Sequence, residues 1–338
     1  MSWFENEGKH PIHTVLTQTR YIRNIHGIPF WDKCDLKTRE SIFSKADSIL
    51  TQNGFRKETA VESDPIFWGS LAEKGFIDND FLDSPNPRAL YFNEPCSLAV
   101  SLGGKEHVTI RSLISGKASA ESRNIASGAE ELLDGNFEFS YSENLGYIAS
   151  RPSICGSGAE FSAILYLPSL KLDDKTELRR RECRLAGAEL SPLTSSSDNH
   201  GDLYILSYSP SHRSDEGEAV MRFDALQNKI IEEERISEGI IFAKRSKLII
   251  DAAWRAYGIL LYAKKLSFSE SLALSSDLRL ALAVASDEST LPPVSTVQLN
   301  TILGEGADCS VIASSGGVCA SREECDELRA GFISKLLS

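Results

Sequence analysis

Between Ala89 and Tyr208 the chain is written in short runs of mixed apolar and polar residues, and after Asp215 it turns helical in texture for the rest of its length. That change of period constrains the fold more than any other feature. Strands and helices that are segregated along a chain build α+β architectures, whereas regular alternation would build a parallel sheet. ALYFNEPCSLAVSL from Ala89, HVTIRSLI from His107, YIASRP from Tyr147, FSAILYLPSL from Phe161 and DLYILSYS from Asp202 read as half-buried strands with antiparallel connections available. Ala118 to Leu133 reads as a surface helix between them. Residues 1–85 read as mixed and mainly helical. There Thr38 to Asn53 sets Ile42, Phe43, Ala46, Ile49 and Leu50 at near-helical spacing, and Pro85 and Pro87 close the segment.

The run that begins EGEAVMRFDALQNKIIEEER at Glu216 and ends near Leu266 is far longer than a usual globular helix, so breaks are expected near Gly239 and Gly258. Leu272 to Val284 reads as a further helix, Pro292 and Pro293 as its break, and Arg322 to Leu337 as a closing amphipathic one. Ser314 to Gly317 and Thr194 to Asn199 read as loops. The expected organisation is a domain over residues 1–250 followed by a small all-helical domain over 251–338.

Composition limits the function. A formal net charge of −12 supplies no footprint for nucleic acid or an anionic membrane, which would need a concentrated basic face. No apolar run approaches the roughly 18 residues of a membrane span, and MSWFENEGKH is too polar and acidic for a signal peptide. Cys34, Cys96, Cys155, Cys183, Cys309, Cys319 and Cys325 are scattered and never spaced as CxxC, so they read as free thiols of a cytoplasmic protein without a metal site.

Leu145 to Leu170 reads LGYIASRPSICGSGAEFSAILYLPSL, and GDLYILSYSP follows from Gly201. The pair resembles the phosphate-binding core of the ATP:guanido phosphotransferases, LGYLTSCPTNxGTGLRASVxxHLPAL, and within that family most resembles the bacterial protein-arginine kinases. Transfer of a phosphoryl group to a guanidinium needs arginines on the phosphates, a carboxylate to take a proton and rigid alignment of both substrates. On this resemblance the family's cysteine falls on Arg151 and a phosphate arginine falls on Glu160, while Pro152, Ser153, Gly156 and Gly158 keep the shape of the loop.

Three further stretches carry the resemblance. TQTRYIRNIHGIPF at Thr17 to Phe30 is similar to SxRxRxxRNLxGxPF, with Arg20 and Arg23 kept and the first phosphate arginine replaced by Gln18. LGGKEHVTIRS at Leu102 to Ser112 is similar to VNEEDHLRIQ, which puts Lys105 at the catalytic glutamate and Thr109 at a phosphate arginine. Arg111 shares the face of Thr109 on a strand and could supply a cation in its place, whereas Glu106 would point to the opposite face. RLAGAELSP at Arg184 to Pro192 is similar to RGLYGEGSE, with Arg184 and Glu189 at the phosphate arginine and second carboxylate. The histidine that stacks on the base, within EKHLIS, falls on Gly75 in EKGFID. Read without the family, Arg20 is an exposed cation and RRRECR at Arg179 to Arg184 a solvated charge run.

From Asp251 onward, DAAWRAYGILLYAKKLSFSESLALSSDLRLALA resembles the helical domain of protein-arginine kinases. Their phosphoarginine-binding RDIRRA has its counterpart in Glu324 to Ala330, where Asp326 is kept and the key arginine becomes Cys325. Asp326 and Arg329 read equally as an i,i+3 surface pair.

The resemblance implies a guanido-kinase-like α+β domain, with an antiparallel sheet flanked by helices, and then the helical domain. It implies a degenerate protein-arginine kinase homologue that acts in protein quality control or regulation by binding a phosphate ligand or a protein: an active arginine kinase, Clp-type protease components or a second copy of itself. Two alternatives stand beside it. One is an active kinase using ATP with Mg, with Glu189 as base and Arg20, Arg111, Arg151 and Arg184 around the phosphates. The other is a phosphate or phosphoarginine sensor without turnover. The reversed charges of Lys105 and Glu160 predict an ion pair across the cleft.

Overall fold

In the computed structural model, which describes residues 2–58, 64–94, 96–172, 175–194, 201–211, 214–285, 288–316 and 321–338, the strand at the heart of the sheet comes from the segment expected to be mainly helical. β1 spans Thr14–Arg23, and its TVLTQTRYIR is rich in the β-branched and aromatic residues that suit a pleated, buried surface. β2 (Arg56–Lys57), β3 (Ala89–Phe92), β4 (Leu98–Leu102) and β5 (Val108–Ser115) lie on one side of it. β8 (Ala159–Tyr166), β10 (Leu203–Tyr208) and β9 (Ala188–Pro192) lie on the other, in the order β2-β3-β4-β5-β1-β8-β10-β9. Every neighbouring pair is antiparallel. The segment expected as a strand at YIASRP forms only β7 (Gly146–Tyr147), paired with β6 (Tyr141–Ser142), before a 3-10 turn at Pro152–Ile154.

Around the sheet stand α1 (Leu36–Gln52), α2 (Pro65–Glu73), α3 (Asn79–Leu82), α4 (Ser119–Asp134), α5 (Pro168–Leu172) and α6 (Thr176–Leu185). Their starts follow local chemistry. The Asp35 carboxylate accepts from the Thr38 N–H, Asp64 caps α2 ahead of Pro65, and Asp78 caps α3. FSAILYLPSL stops being a strand at Tyr166 because Pro168 opens α5.

One face of the sheet packs against α1, α4, α6 and the first half of α7 (Glu216–Tyr262), in a core that includes Tyr21, Trp31, Leu133, Phe161, Cys183 and Phe223. Each large apolar side chain buried there is worth roughly 1.5–3 kcal/mol. The other face is partly covered by α2 and α3, through Trp68, Leu71 and Phe81, and by the C-terminal helices, through Leu272, Leu303, Phe268 and Leu280.

α7 runs unbroken through Gly239 and Gly258, where breaks were expected, and departs from helical geometry instead at Arg245, with φ −136° and ψ 20°. The departure falls where the helix leaves the sheet core, after Ile230 and Ile231, and before Ile249 enters the helical one. Tertiary packing, and not glycine, sets its place. The helical core joins α7 to α8 (Phe268–Val284), α9 (Thr296–Glu305) and α11 (Arg322–Leu337), while α10 (Asp308–Ser315) leans on α2 and α11. A capping box between Ser295 and Gln298 starts α9. Ser314 and Ser315, expected in a loop, lie inside α10, with Gly316 in the left-handed position behind them; Gly317 and residues 195–199 lie outside the described residues.

Cys34, Cys96, Cys155, Cys183 and Cys309 are free thiols, whereas Cys325 is disulfide-bonded, which corrects the free-thiol expectation at that position. Cys319 lies outside the described residues. Among the described residues no helix is long and apolar enough to cross a membrane.

Candidate active site

Because side chains alternate along a strand, the antiparallel register decides which of them meet. Arg20 on β1 stands opposite Arg111 on β5 and Glu160 on β8, and Gln18 stands opposite Ser162. Ser162 is opposite Ser207 on β10, which is opposite Glu189 on β9. Thr109 is two residues from Arg111 on the same strand. Gln18, Arg20, Thr109, Arg111, Glu160 and Glu189 therefore share the face turned away from the sheet core. Glu189 is exposed near the sheet edge.

The cations of this face are all committed. The Arg20 guanidinium lies 3.0 Å from Glu160 and 3.6 Å from Asp78. Arg111, almost fully buried, donates to Asp78 and to the Phe76 carbonyl. Lys105 Nζ is 2.6 Å from Asp80, and Arg151 reaches the other oxygen of the same carboxylate at 3.1 Å. The expected Lys105–Glu160 pair does not form, since each side chain finds an opposite charge closer along its own side of the cleft. Burial pushes the Asp78 carboxyl up, but Arg111, the Phe81 N–H and Arg20 outweigh it and hold Asp78 below the usual carboxylate range. Burial likewise lowers Arg111, against the pull of Asp78.

Glu106 is not on a strand pointing to the opposite face. It sits in the turn before β5, buried, where it accepts from Asn24 Nδ2 at 2.5 Å, from the Ser150 N–H at 3.1 Å and from Ser150 Oγ at 2.5 Å. Its carboxylate fixes the backbone next to Arg151. His107 locks the opposite side of the turn. Its Nδ1 accepts from the Ile25 N–H and its Nε2 donates to the Pro29 carbonyl, both at 2.8 Å, so the RNIHGIPF stretch is shaped around a neutral imidazole whose pKa burial lowers.

Arg23 joins two of the motifs. It is buried, bonds Glu130 and the Gly158 carbonyl, and stacks 3.5 Å from the centre of the Tyr147 ring. Gly158 is required there: its φ is +62°, and a Cβ would stand 2.3 Å from Arg23 Nη1 and 2.9 Å from the Ile22 carbonyl. Gly75, where the motif resemblance places a base-stacking histidine, follows α2 with φ +84°, a conformation that side chains resist. Gly75, Gln18, Ser162, Leu193, Phe268 and Leu303 line a largely apolar cleft of about 340 Å³ between the sheet and the helical core.

Arg184 lies apart from this file. It is exposed on α6, whose Cys183 packs into the core on the other face of the sheet, and it pairs with Glu177 of its own helix at 3.0 Å. Arg180 and Arg181 meet the same Glu177, as a solvated charge run does. In the helical core, Asp326 does pair with Arg329 at 2.6 Å, but not at the surface. Arg329 is fully buried and also donates to the carbonyls of Gly306 at 2.6 Å and Leu266 at 2.7 Å and to Asp308, which makes it a hub of the domain.

Asp78 and Asp80 are the members of the site that motif reading passed over. The available signal was a pair of acids two apart directly after EKGFI.

The fold is the one shared by guanido kinases. Solved relatives include the duplicated taurocyamine kinase from Schistosoma mansoni with bound transition state analog components, at TM-score 0.59 and 17% identity, over 68% of this chain and 35% of that one. Lombricine kinase matches at TM-score 0.55 and 16% identity, over 68% of each chain. The model of the ATP:guanido phosphotransferase C-terminal catalytic domain matches residues 43–237, more than half of the chain, and this protein belongs to that family. Its curated relatives include the protein-arginine kinases of Clostridium kluyveri, 24% identical over 100% of this chain and 98% of that one, and of an Exiguobacterium species, 28% identical over 82% and 81%.

Proposed function

We propose that this family member acts by binding, with phosphoryl transfer lost or strongly impaired. The observation that carries the reading is the Arg20–Glu160 pair, in which a cation kept at a phosphate position is committed to a carboxylate standing at another. A magnesium-bound triphosphate does not fit these residues as they stand. Arg20, Arg111, Lys105 and Arg151 each already face Asp78, Asp80 or Glu160, and those carboxylates would repel the incoming phosphates. A positioned base is worth about 10²- to 10⁴-fold, and a lost donor at developing charge costs a factor of about 10² to 10³. The proposed partner is a protein: an active arginine kinase, a Clp-type protease component or another copy of this chain.

A second reading, slow transfer, is favoured by Glu189, which is exposed on the same face as Arg20. One experiment decides between them. The purified chain is incubated with ATP, magnesium and an arginine-rich protein and assayed for acid-labile phosphate, with calorimetry of ATP binding alongside. The expected result is no phosphate above background and weak or absent ATP binding. Robust labelling that disappears in Glu189→Gln would establish the second reading.

A further inference from the structure

We propose that Lys105 and Arg151 form a rim site for a single phosphate group, latched shut by Asp80. The inference rests on the binding reading above and names a ligand class for that altered site. Asp78 and Asp80, flanking Asn79 at the start of α3, together counter cations from β1, β5, the turn before β5 and the loop after β7. The two halves are unequal. Asp78 is fixed: its carboxylate caps α3 through the Phe81 N–H at 2.9 Å and neutralises the nearly buried Arg111. Asp80 is not fixed in this way. The two carboxylates are about equally open, at 30% for Asp80 and 34% for Asp78, but Lys105 and Arg151 beside Asp80 are 45% and 52% exposed, against 5% and 19% for Arg111 and Arg20 beside Asp78. Ion pairs as open as these are weak and yield to a competing anion.

A phosphate dianion is the anion that suits the pair. Arg151 offers a planar fork for two oxygens and Lys105 a point charge for a third. The loop that carries Arg151 is held by Glu106 through Ser150, so the guanidinium starts from a braced backbone. Glu106 is itself committed to Ser150 and Asn24. Asp78 and Glu160 stay in place around Arg20, so the site takes one phosphate group and rejects a triphosphate chain. Lys105 and Arg151 occupy positions where the resemblance places a catalytic glutamate and a cysteine, so the site belongs to this chain's own substitutions.

The test compares the full chain with Asp80→Asn, and with Asp80→Ser as a second variant, by calorimetry against inorganic phosphate, phosphoarginine and ATP. Thermal melting confirms that each variant is folded. Opening the latch is expected to tighten inorganic phosphate and phosphoarginine about tenfold or more, to leave ATP no tighter than phosphate, and to lose the gain when Lys105→Gln and Arg151→Gln are added. A folded Asp80 variant with unchanged phosphate affinity, or a gain that survives loss of both cations, overturns the proposal. ATP binding much tighter than phosphate overturns its single-phosphate form. None of these outcomes depends on whether the unmodified chain transfers phosphate, so the binding reading stands or falls separately.

Discussion

Arg20 and Glu160 face each other in register across β1 and β8, guanidinium to carboxylate at 3.0 Å, at the centre of the sheet's open face. The contact is half open, with side-chain exposures of 19% and 32%. Glu160→Gln should therefore cost at most about 1 kcal/mol in urea denaturation. Glu160→Arg, which introduces the residue that the motif resemblance places there, should destabilise more, because a further guanidinium then crowds Arg20 and Arg111 around Asp78. It should still give no acid-labile phosphate on an arginine-rich substrate, since Lys105 remains where the motif resemblance places a catalytic glutamate. Transfer restored by that single change would show that Glu160 alone blocks the site.

Arg329 should be the most sensitive position of the helical core. Arg329→Met keeps much of the apolar stem but strands the Gly306 and Leu266 carbonyls and leaves Asp326 and Asp308 without their cation. Leaving a buried hydrogen-bonding group unsatisfied costs about 1–3 kcal/mol, measurable as a fall in the denaturation midpoint. Asp326→Asn, at the partly exposed end of the network, should cost clearly less.

Glu234 should make stability depend on pH. It is buried on α7, accepting from the Ser169 N–H at 2.6 Å. Burial, opposed by that hydrogen bond and reinforced by Glu238 and Asp202, pushes its carboxyl up from 4.5 to about 8. The folded state thus holds a proton that the unfolded state releases near 4.5, so the stabilisation is complete below that value and is lost as pH rises to about 8. The slope cannot exceed about 1.4 kcal/mol per pH unit. Glu234→Gln mimics the protonated acid, and its stability plotted against pH should be flatter over this window. Equal slopes for the variant and the unmodified chain would remove the assignment.

Much of the architecture was legible because its signals are local. Leu36–Gln52, Ser119–Asp134 and Arg322–Leu337 are helices close to where apolar spacing put them, and the strands from Ala89 to Ser115 follow their runs. β1 was hidden because its ten residues sit within an otherwise helical stretch, and only pairing with β5 and β8 makes them a central strand. The site was legible as positions and not as contacts. Register brings Gln18, Arg20, Thr109, Arg111, Glu160 and Glu189 to one face, as pleating requires of strand residues. Nothing local says that Lys105 meets Asp80 and not Glu160, because that depends on where α3 rests against the sheet. Glu106 misled for a related reason: alternation applies to strands, and its residue lies in a turn.

α7 gives Phe223 and Ile231 to the sheet core and Ala253 and Leu260 to the helical one, so a single rod is built into both bodies. A second tie runs from Arg279 on α8 to the carbonyls of Pro11 and Ile12, just ahead of β1. Further ties join the same two parts, among them Tyr166 to Ser276, Lys74 to Glu305 and Ser310 to Glu73. The start of the strand that carries Gln18 and Arg20 is thereby held directly by a C-terminal helix, and the rod that joins the two cores departs from helical geometry at Arg245.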